Sequence, residues 1–366
     1  MPEVQELPAF FERRDVMRFL RVFLLLAVWL MAAAPLQARR SLPIGVVFSC
    51  GPEDSMFRSS LSGIKRAQSE LDVKITSYFC NYDSGEYESV TTEAARQNRL
   101  VIAVGTPLAE AVDKAARAHE SVDFVLLDAK SGNPQVASVL FHQSEASYLA
   151  GVLAVRLAAR RGSRKIGVIL GERGEKVPVM LDFLLGFEQG ARDADKRVTL
   201  LKRSVQSWND PRKAKAIARA MHDAGAQVIF QAAGLSGSGV VEAAVEEGFY
   251  VIGVDEPQER LAPGVVLTAV LKRFDQALFD VVSARVGGHL RRGATLHYRL
   301  WNRGVELSWT SNALISDELR RELEGLSYRI VDRIIRVASC YNSDGTFKAS
   351  LKPLPPEPPA AGAGKK

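Results

Sequence analysis

The sequence predicts an α/β protein built as two lobes, each a parallel sheet flanked by helices. Three observations carry that prediction. Runs such as Leu100-Val-Ile-Ala-Val104 and Val228-Ile-Phe230 are apolar at successive positions, as in strands covered on both faces. Nearly every such run is followed by a segment with apolar residues at helical spacing, and strand–helix alternation implies a parallel sheet between helix layers. The alternation starts again after the basic turn Arg160-Arg-Gly-Ser-Arg-Lys165, so the 366 residues read as two similar halves.

In the first half, strands are expected over 44–49, 73–79, 100–104, 122–127 and 136–141. Phe57, Leu61, Ile64 and Leu71 share one helical face over 55–71, and helices over 88–98, 108–118 and 145–161 follow later strands. In the second half, strands are expected over 166–170, 198–202, 228–230, 250–254 and 265–271. Phe183, Phe187 and Ala191 form the stripe of a helix over 182–195. Asp210 before Pro211 starts the next helix, because the carboxylate caps and Pro fits the first turn; Gly225 ends it. Helices over 240–247 and 274–282 and one starting at Ser316/Asp317 complete the pattern. The segments 295–300 and 305–309 flank Trp301-Asn-Arg-Gly304 and read as an antiparallel hairpin. These assignments give one lobe of 41–160 plus about 256–290, and another of 161–255 plus about 291–340.

Residues 1–38 have the order of a secretory signal peptide: Arg18 and Arg21, the apolar stretch 23–34, then small residues with a cut after Ala38. Met17 is an alternative start. The apolar stretch is short for a membrane span, and no cysteine stands at the cleavage region to carry a lipid. A periplasmic, exported protein is expected. The tail over 350–366, rich in Pro, Ala and Gly, cannot build a core and is expected to be disordered. A net charge of +6 spread along the chain is no nucleic-acid footprint. Three cysteines without zinc spacing exclude a disulfide scaffold and a metal finger. Cys50 and Cys80 each follow an apolar run, which leaves open a disulfide between neighbouring strands or two buried thiols.

Ligands of open parallel sheets bind beyond the carboxyl ends of the strands. That rule singles out Asp128, Asp255 and Lys272, each at the end of an apolar run, and the turn holding Gly234 and Gly237. Glycines there let the backbone approach a ligand closely. Phe57 and Phe230 are candidates to sandwich a flat ring, with a core role for each as the alternative, since Phe57 matches the spacing of Leu61 and Ile64. A strand-end carboxylate accepts from two sugar hydroxyls, and Lys272 donates to them or balances the charge. Catalysis has no support: there is no H-E-x-x-H, G-x-S-x-G or P-loop, and the five histidines stand in unrelated contexts. The loop Gly171-Glu-Arg-Gly-Glu-Lys176 reads as a polar loop at the cleft mouth. No cofactor and no metal are expected.

Several segments in order resemble the basic membrane protein family, the nucleoside-binding branch of ABC-transporter substrate-binding proteins. They are Glu145-Ala-Ser-Tyr-Leu-Ala-Gly151, Phe183-Leu-Leu-Gly-Phe-Glu-Gln-Gly190, Asp210-Pro-Arg-Lys-Ala-Lys215, 226–234, 251–255 and 267–272. The resemblance implies a type I periplasmic-binding fold whose lobes close on a purine nucleoside and hand it to a membrane permease, without chemistry and as a monomer. Carried over by position, Phe57 and Phe230 resemble the base-stacking aromatics, Asp255 the ribose-binding aspartate, Lys272 its neighbour, and Gly234 to Gly237 the turn near the sugar. Asp128 is assigned to the base. Arg58 stands where the family has an amide, and Asp255-Glu-Pro-Gln258 lacks its second aspartate, so ligand identity stays open. A sensory receptor of the same fold and a secreted nucleoside hydrolase are the alternatives. An export signal in place of DNA-binding helices disfavours a repressor.

Overall fold

The computed structural model describes residues 41–172, 177–309 and 313–348. The expected signal peptide, the tail over 350–366 and the centre of the loop at 171–176 lie outside the described residues. The first sheet holds β1 (Leu42–Phe48), β2 (Val73–Phe79), β3 (Leu100–Val104), β4 (Asp123–Leu127), β5 (Val136–Phe141) and β11 (Thr295–Tyr298). Its order is β11-β5-β4-β3-β1-β2, and every pairing is parallel. The second holds β6 (Lys165–Leu170), β7 (Thr199–Ser204), β8 (Val228–Ala232), β9 (Tyr250–Asp255), β10 (Val266–Lys272) and β12 (Val305–Leu307) in the order β12-β10-β9-β8-β6-β7. Only β12 runs antiparallel there, against β10. The two sheets repeat one topology, and the fold is the two-lobed α/β arrangement of type I periplasmic-binding proteins.

The buried strands explain their own sequences. All residues of β3, β5 and β8 are buried, because helices cover both faces of each sheet. The helices are α1 (Ser55–Glu70), α2 (Tyr87–Gln97), α3 (Ala109–Ala118), α4 (Gln143–Arg160), α5 (Pro178–Ala194), α6 (Pro211–Asp223), α7 (Gly237–Glu247), α8 (Phe274–Val286) and α9 (Asp317–Val331). Asp54 caps α1 by accepting from Met56 N at 2.8 Å, and Asp210 caps α6 from Lys213 N at 3.0 Å. α4 is buried along nearly its whole length and lies on α5, the tightest helix pair. Their backbones approach through glycine: a Cβ on Gly190 would run into Tyr148 O, and one on Gly186 into Ser144 O.

Two expectations need correction. The segments around Trp301-Asn-Arg-Gly304 form no hairpin: β11 pairs with β5 in the first sheet and β12 with β10 in the second. The turn is local chemistry, with Arg303 at φ 54, but each flanking strand satisfies its backbone at a different sheet edge. The lobe boundaries shift for the same reason. α4 packs on α5, β8, β10 and β12, and β10 itself belongs to the second sheet. The chain therefore crosses between lobes after β5, after β10 and between β11 and β12, instead of near 160 and 256–261. An apolar run states that a strand is buried but not which sheet buries it.

Candidate functional site

Strand ends from both sheets meet across the seam between the lobes. Asp128 follows β4 in the first lobe; Asp255 ends β9 and Lys272 ends β10 in the second. Both aspartates take left-handed backbone, with φ of 74 and 68, which turns each side chain off its strand. Lys272 Nζ lies 2.7 Å from Asp128 Oδ2 and 3.4 Å from Asp255 Oδ1, so one ammonium ties the two lobes. Ser55 Oγ donates to Asp255 Oδ2 at 3.1 Å, and Arg58 pairs with Glu256 at 2.5 Å, both across the seam. Arg58 thus reaches a carboxylate at the rim and does not line the cavity.

The cavity is small, about 40 Å³, and lies among Ser49, Asp54, Met56, Tyr82, Phe183 and Trp208 as well as the triad and Gly234. That is room for a few waters, far below the roughly 300–1,000 Å³ of ligand pockets. Tyr82 from the first lobe stacks on Trp208 from the second, with ring centroids 6.1 Å apart and planes 14° from parallel. Tyr82 also donates to Asp54 Oδ2 at 2.8 Å. A Cβ on Gly234, already at φ 56, would press on Tyr82 Oη and Trp208 O at 3.1 and 3.2 Å, so this turn needs glycine.

Charge in the cavity is lopsided: Asp54, Asp128 and Asp255 face one lysine. Burial pushes the Asp128 carboxyl up to about 6 although Lys272 pulls the other way. Burial also raises Asp54, against the pull of Met56 N–H and the Tyr82 hydroxyl. Burial alone would lower the Lys272 amine, but the adjoining carboxylates outweigh it and raise it. Three buried atoms here accept or donate no hydrogen bond: Ser49 Oγ, Asp128 Oδ1 and Asp255 Oδ1. Buried polar atoms are rarely left so. The cavity can therefore satisfy a solute bearing several hydroxyl or N–H donors.

The structure brings Asp128, Gly234, Asp255 and Lys272 together and leaves three expected residues elsewhere. Phe57 packs edge-on against Phe48 and Phe79, at 5.1 and 4.9 Å, in the first lobe's core. Phe230 is fully buried against Phe183 and Phe187. Gly237 abuts Gln231, where a Cβ would collide with the amide. Side chains within a covered strand point into the helix layers, not at the rim, which is why Phe230 misses the seam. Met56, one residue before Phe57 and about 100° away around α1, is the one that lines the cavity. Tyr82 and Trp208 were also missed; both stand just past strand ends, the same signal that found Asp255. His142 bonds His297 at 2.8 Å, outside the cavity, and burial lowers it to about 2. Cys50 and Cys80 are free, buried thiols.

Known proteins agree with this architecture. Residues 43–339 match the Bmp family, described as ABC transporter substrate-binding protein PnrA-like. Basic membrane protein D of Borreliella burgdorferi (strain JD1) is 28% identical over 287 residues, covering 76% of this chain and 82% of the relative. Basic membrane protein B of Borrelia garinii subsp. bavariensis is 32% identical over 243 residues, 63% of this chain and 70% of the relative. Among solved structures, an ABC transporter solute-binding protein of Aeropyrum pernix K1 superposes with a TM-score of 0.73 at 22% identity, covering 83% of this chain and 95% of that one. A transcriptional activator of the comK gene from Bacillus halodurans shares the fold, with a TM-score of 0.67 at 21% identity over 80% of this chain and 98% of its own. Among the described residues, no helix is long and apolar enough to cross a membrane. The family is one of solute binders, typically without catalysis, that pass a small molecule to a membrane permease. This chain belongs to the Bmp family of PnrA-like ABC transporter substrate-binding proteins.

Proposed function

We propose that the protein, exported to the periplasm, captures a purine-like nucleoside or a related hydroxylated solute between its lobes for an ABC importer. The observation that carries this reading is a set of buried oxygens around one lysine: Ser49 Oγ and Asp128 Oδ1, which make no hydrogen bond, and Asp255 Oδ1, held only by the 3.4 Å ion pair to Lys272. A sugar ring with adjacent hydroxyls supplies the donors this set lacks, and hydrogen bonds to charged groups contribute about 1.5–3 kcal/mol each. Tyr82 and Trp208 offer flat apolar faces beside the acceptors. Admission of such a solute requires the lobes to part, since the present cavity is about 40 Å³. Closure about the three crossings then buries it. The test is mass spectrometry of whatever co-purifies, followed by calorimetry with purine nucleosides, pyrimidine nucleosides and free sugars that lack a base. Binding confined to the base-free sugars refutes the nucleoside reading and keeps the hydroxyl-binding site.

A further inference from the structure

Past α9, the chain continues along the seam on the hinge side. The family match ends at Ser339, yet Cys340, Tyr341 and Gly345 beyond it are buried. Cys340 is fully buried and Tyr341 nearly so. Together with Leu140 from β5 of the first lobe and Leu181 from α5 of the second, they form a separate small apolar core. Leu140 and Leu181 lie outside the large central cluster, which itself draws on both lobes and on α9.

Polar contacts repeat the arrangement. On the second lobe, Asp182 of α5 is fully buried and accepts from Ser339 Oγ at 2.6 Å and Cys340 N at 3.1 Å. Its other oxygen accepts from Ser144 N at 3.1 Å, in the first turn of α4, just past a crossing between the lobes. Gln189 accepts from Ala338 N at 2.6 Å, and Cys340 Sγ donates to Pro178 O at 3.2 Å. On the first lobe, Tyr341 sets its ring edge-on to His142, at 6.2 Å between centroids. Gly345, at φ 85, presses its backbone so close to Leu140 and Thr295 that a Cβ has no room. Two sets of contacts, one on each lobe, are thus carried by the eight residues Ala338 to Gly345.

We propose that residues 336–348 act as a strap across the hinge that favours the closed approach of the lobes. Hinges are formed by a few loop or element-terminal residues; here a further segment contacts His142 at the start of α4, α5, β5 and β11 at once. Opening the lobes has to pull Tyr341 and Gly345 from the first lobe or Cys340 from the second, which shifts the equilibrium toward closure by the free energy of those contacts. The inference concerns lobe movement alone and stands apart from the identity of the solute.

The test uses the full chain with spin labels on Arg117→Cys, exposed at the far end of α3, and Asp223→Cys, exposed at the far end of α6. The native thiols are buried and stay unlabelled. Pulsed electron–electron distances are compared in three backgrounds: wild type, Tyr341→Ala and Gly345→Val. The expected result is a distribution in both variants that is broader and shifted by several Å, with thermal melts showing cooperative folding. Should either fail to fold, Cys340→Ala keeps the backbone bonds to Asp182 and is expected to shift the distribution in the same direction by less. Distributions that overlay wild type in folded strap variants overturn the proposal.

Discussion

Replacing Lys272 with Met isolates the electrostatics of the seam. The ammonium is the cation between Asp128 at 2.7 Å and Asp255 at 3.4 Å, and all three groups are buried. Methionine keeps the stem's volume and removes the charge. Breaking a buried pair from one side costs about 3–5 kcal/mol, since the remaining carboxylates are left uncompensated. For a chain of 366 residues that corresponds to a fall in Tm of about 4–8 °C. Two escapes exist, and each leaves a mark. Asp128, already at about 6, can take up a proton, so the loss has to be smaller at pH 5 than at pH 8. Alternatively the lobes can part and rehydrate the carboxylates, which raises the radius of gyration seen by small-angle scattering. Thermal melts at both pH values together with scattering separate these outcomes. A variant that melts within about 2 °C of wild type at pH 8 and keeps its scattering profile refutes the idea that Lys272 holds the seam.

Three further outcomes are expected. Asp255→Ala removes a buried acceptor and the partner of Ser55, and is expected to weaken solute affinity about 10–150-fold by calorimetry; unchanged affinity removes Asp255 from the site. Gly190→Ala forces α5 away from Tyr148 O and is expected to cost about 1–3 kcal/mol in urea unfolding, whereas Gly248→Ala in its open surroundings mainly meets the strain of φ 78. The Asp128 carboxyl is raised by folding, so the native state holds its proton to higher pH than the unfolded chain; this group's contribution to stability is largest below about 4 and is lost as pH rises to about 6. Solute binding runs the other way, because donors prefer the ionised carboxylate, and calorimetry from pH 5 to 8 is expected to show affinity rising through about 6.

Much of the site was legible because strand ends are marked by chemistry. Asp128, Asp255 and Lys272 each break an apolar run with a charge, and Gly234 opens the glycine-rich turn after the run 228–230. The three charges coincide with the carboxyl ends of β4, β9 and β10, and Gly234 stands two residues past the end of β8. The aromatics were harder, since type alone does not give direction. Phe230 lies two residues inside β8, where alternation sends it toward Phe183 and Phe187, while Trp208 lies beyond β7, between that strand and the aspartate that caps α6. Phe57 showed its core role in its spacing with Leu61 and Ile64, and its neighbour Met56 carried no aromatic signal to draw attention to the seam.

The order of strands and helices, the cap at Asp210, and the charged strand ends were determined by residue pattern alone, because each depends on neighbours a few positions away. Which sheet receives β10, why β11 and β12 part company, and how residues past Ser339 come to bridge Leu140 and Leu181 were decided only in three dimensions. The physical reason is the same in each case. Burial and hydrogen-bond pairing are satisfied by any complementary partner, and a linear pattern records the need for a partner without recording which distant surface supplies it.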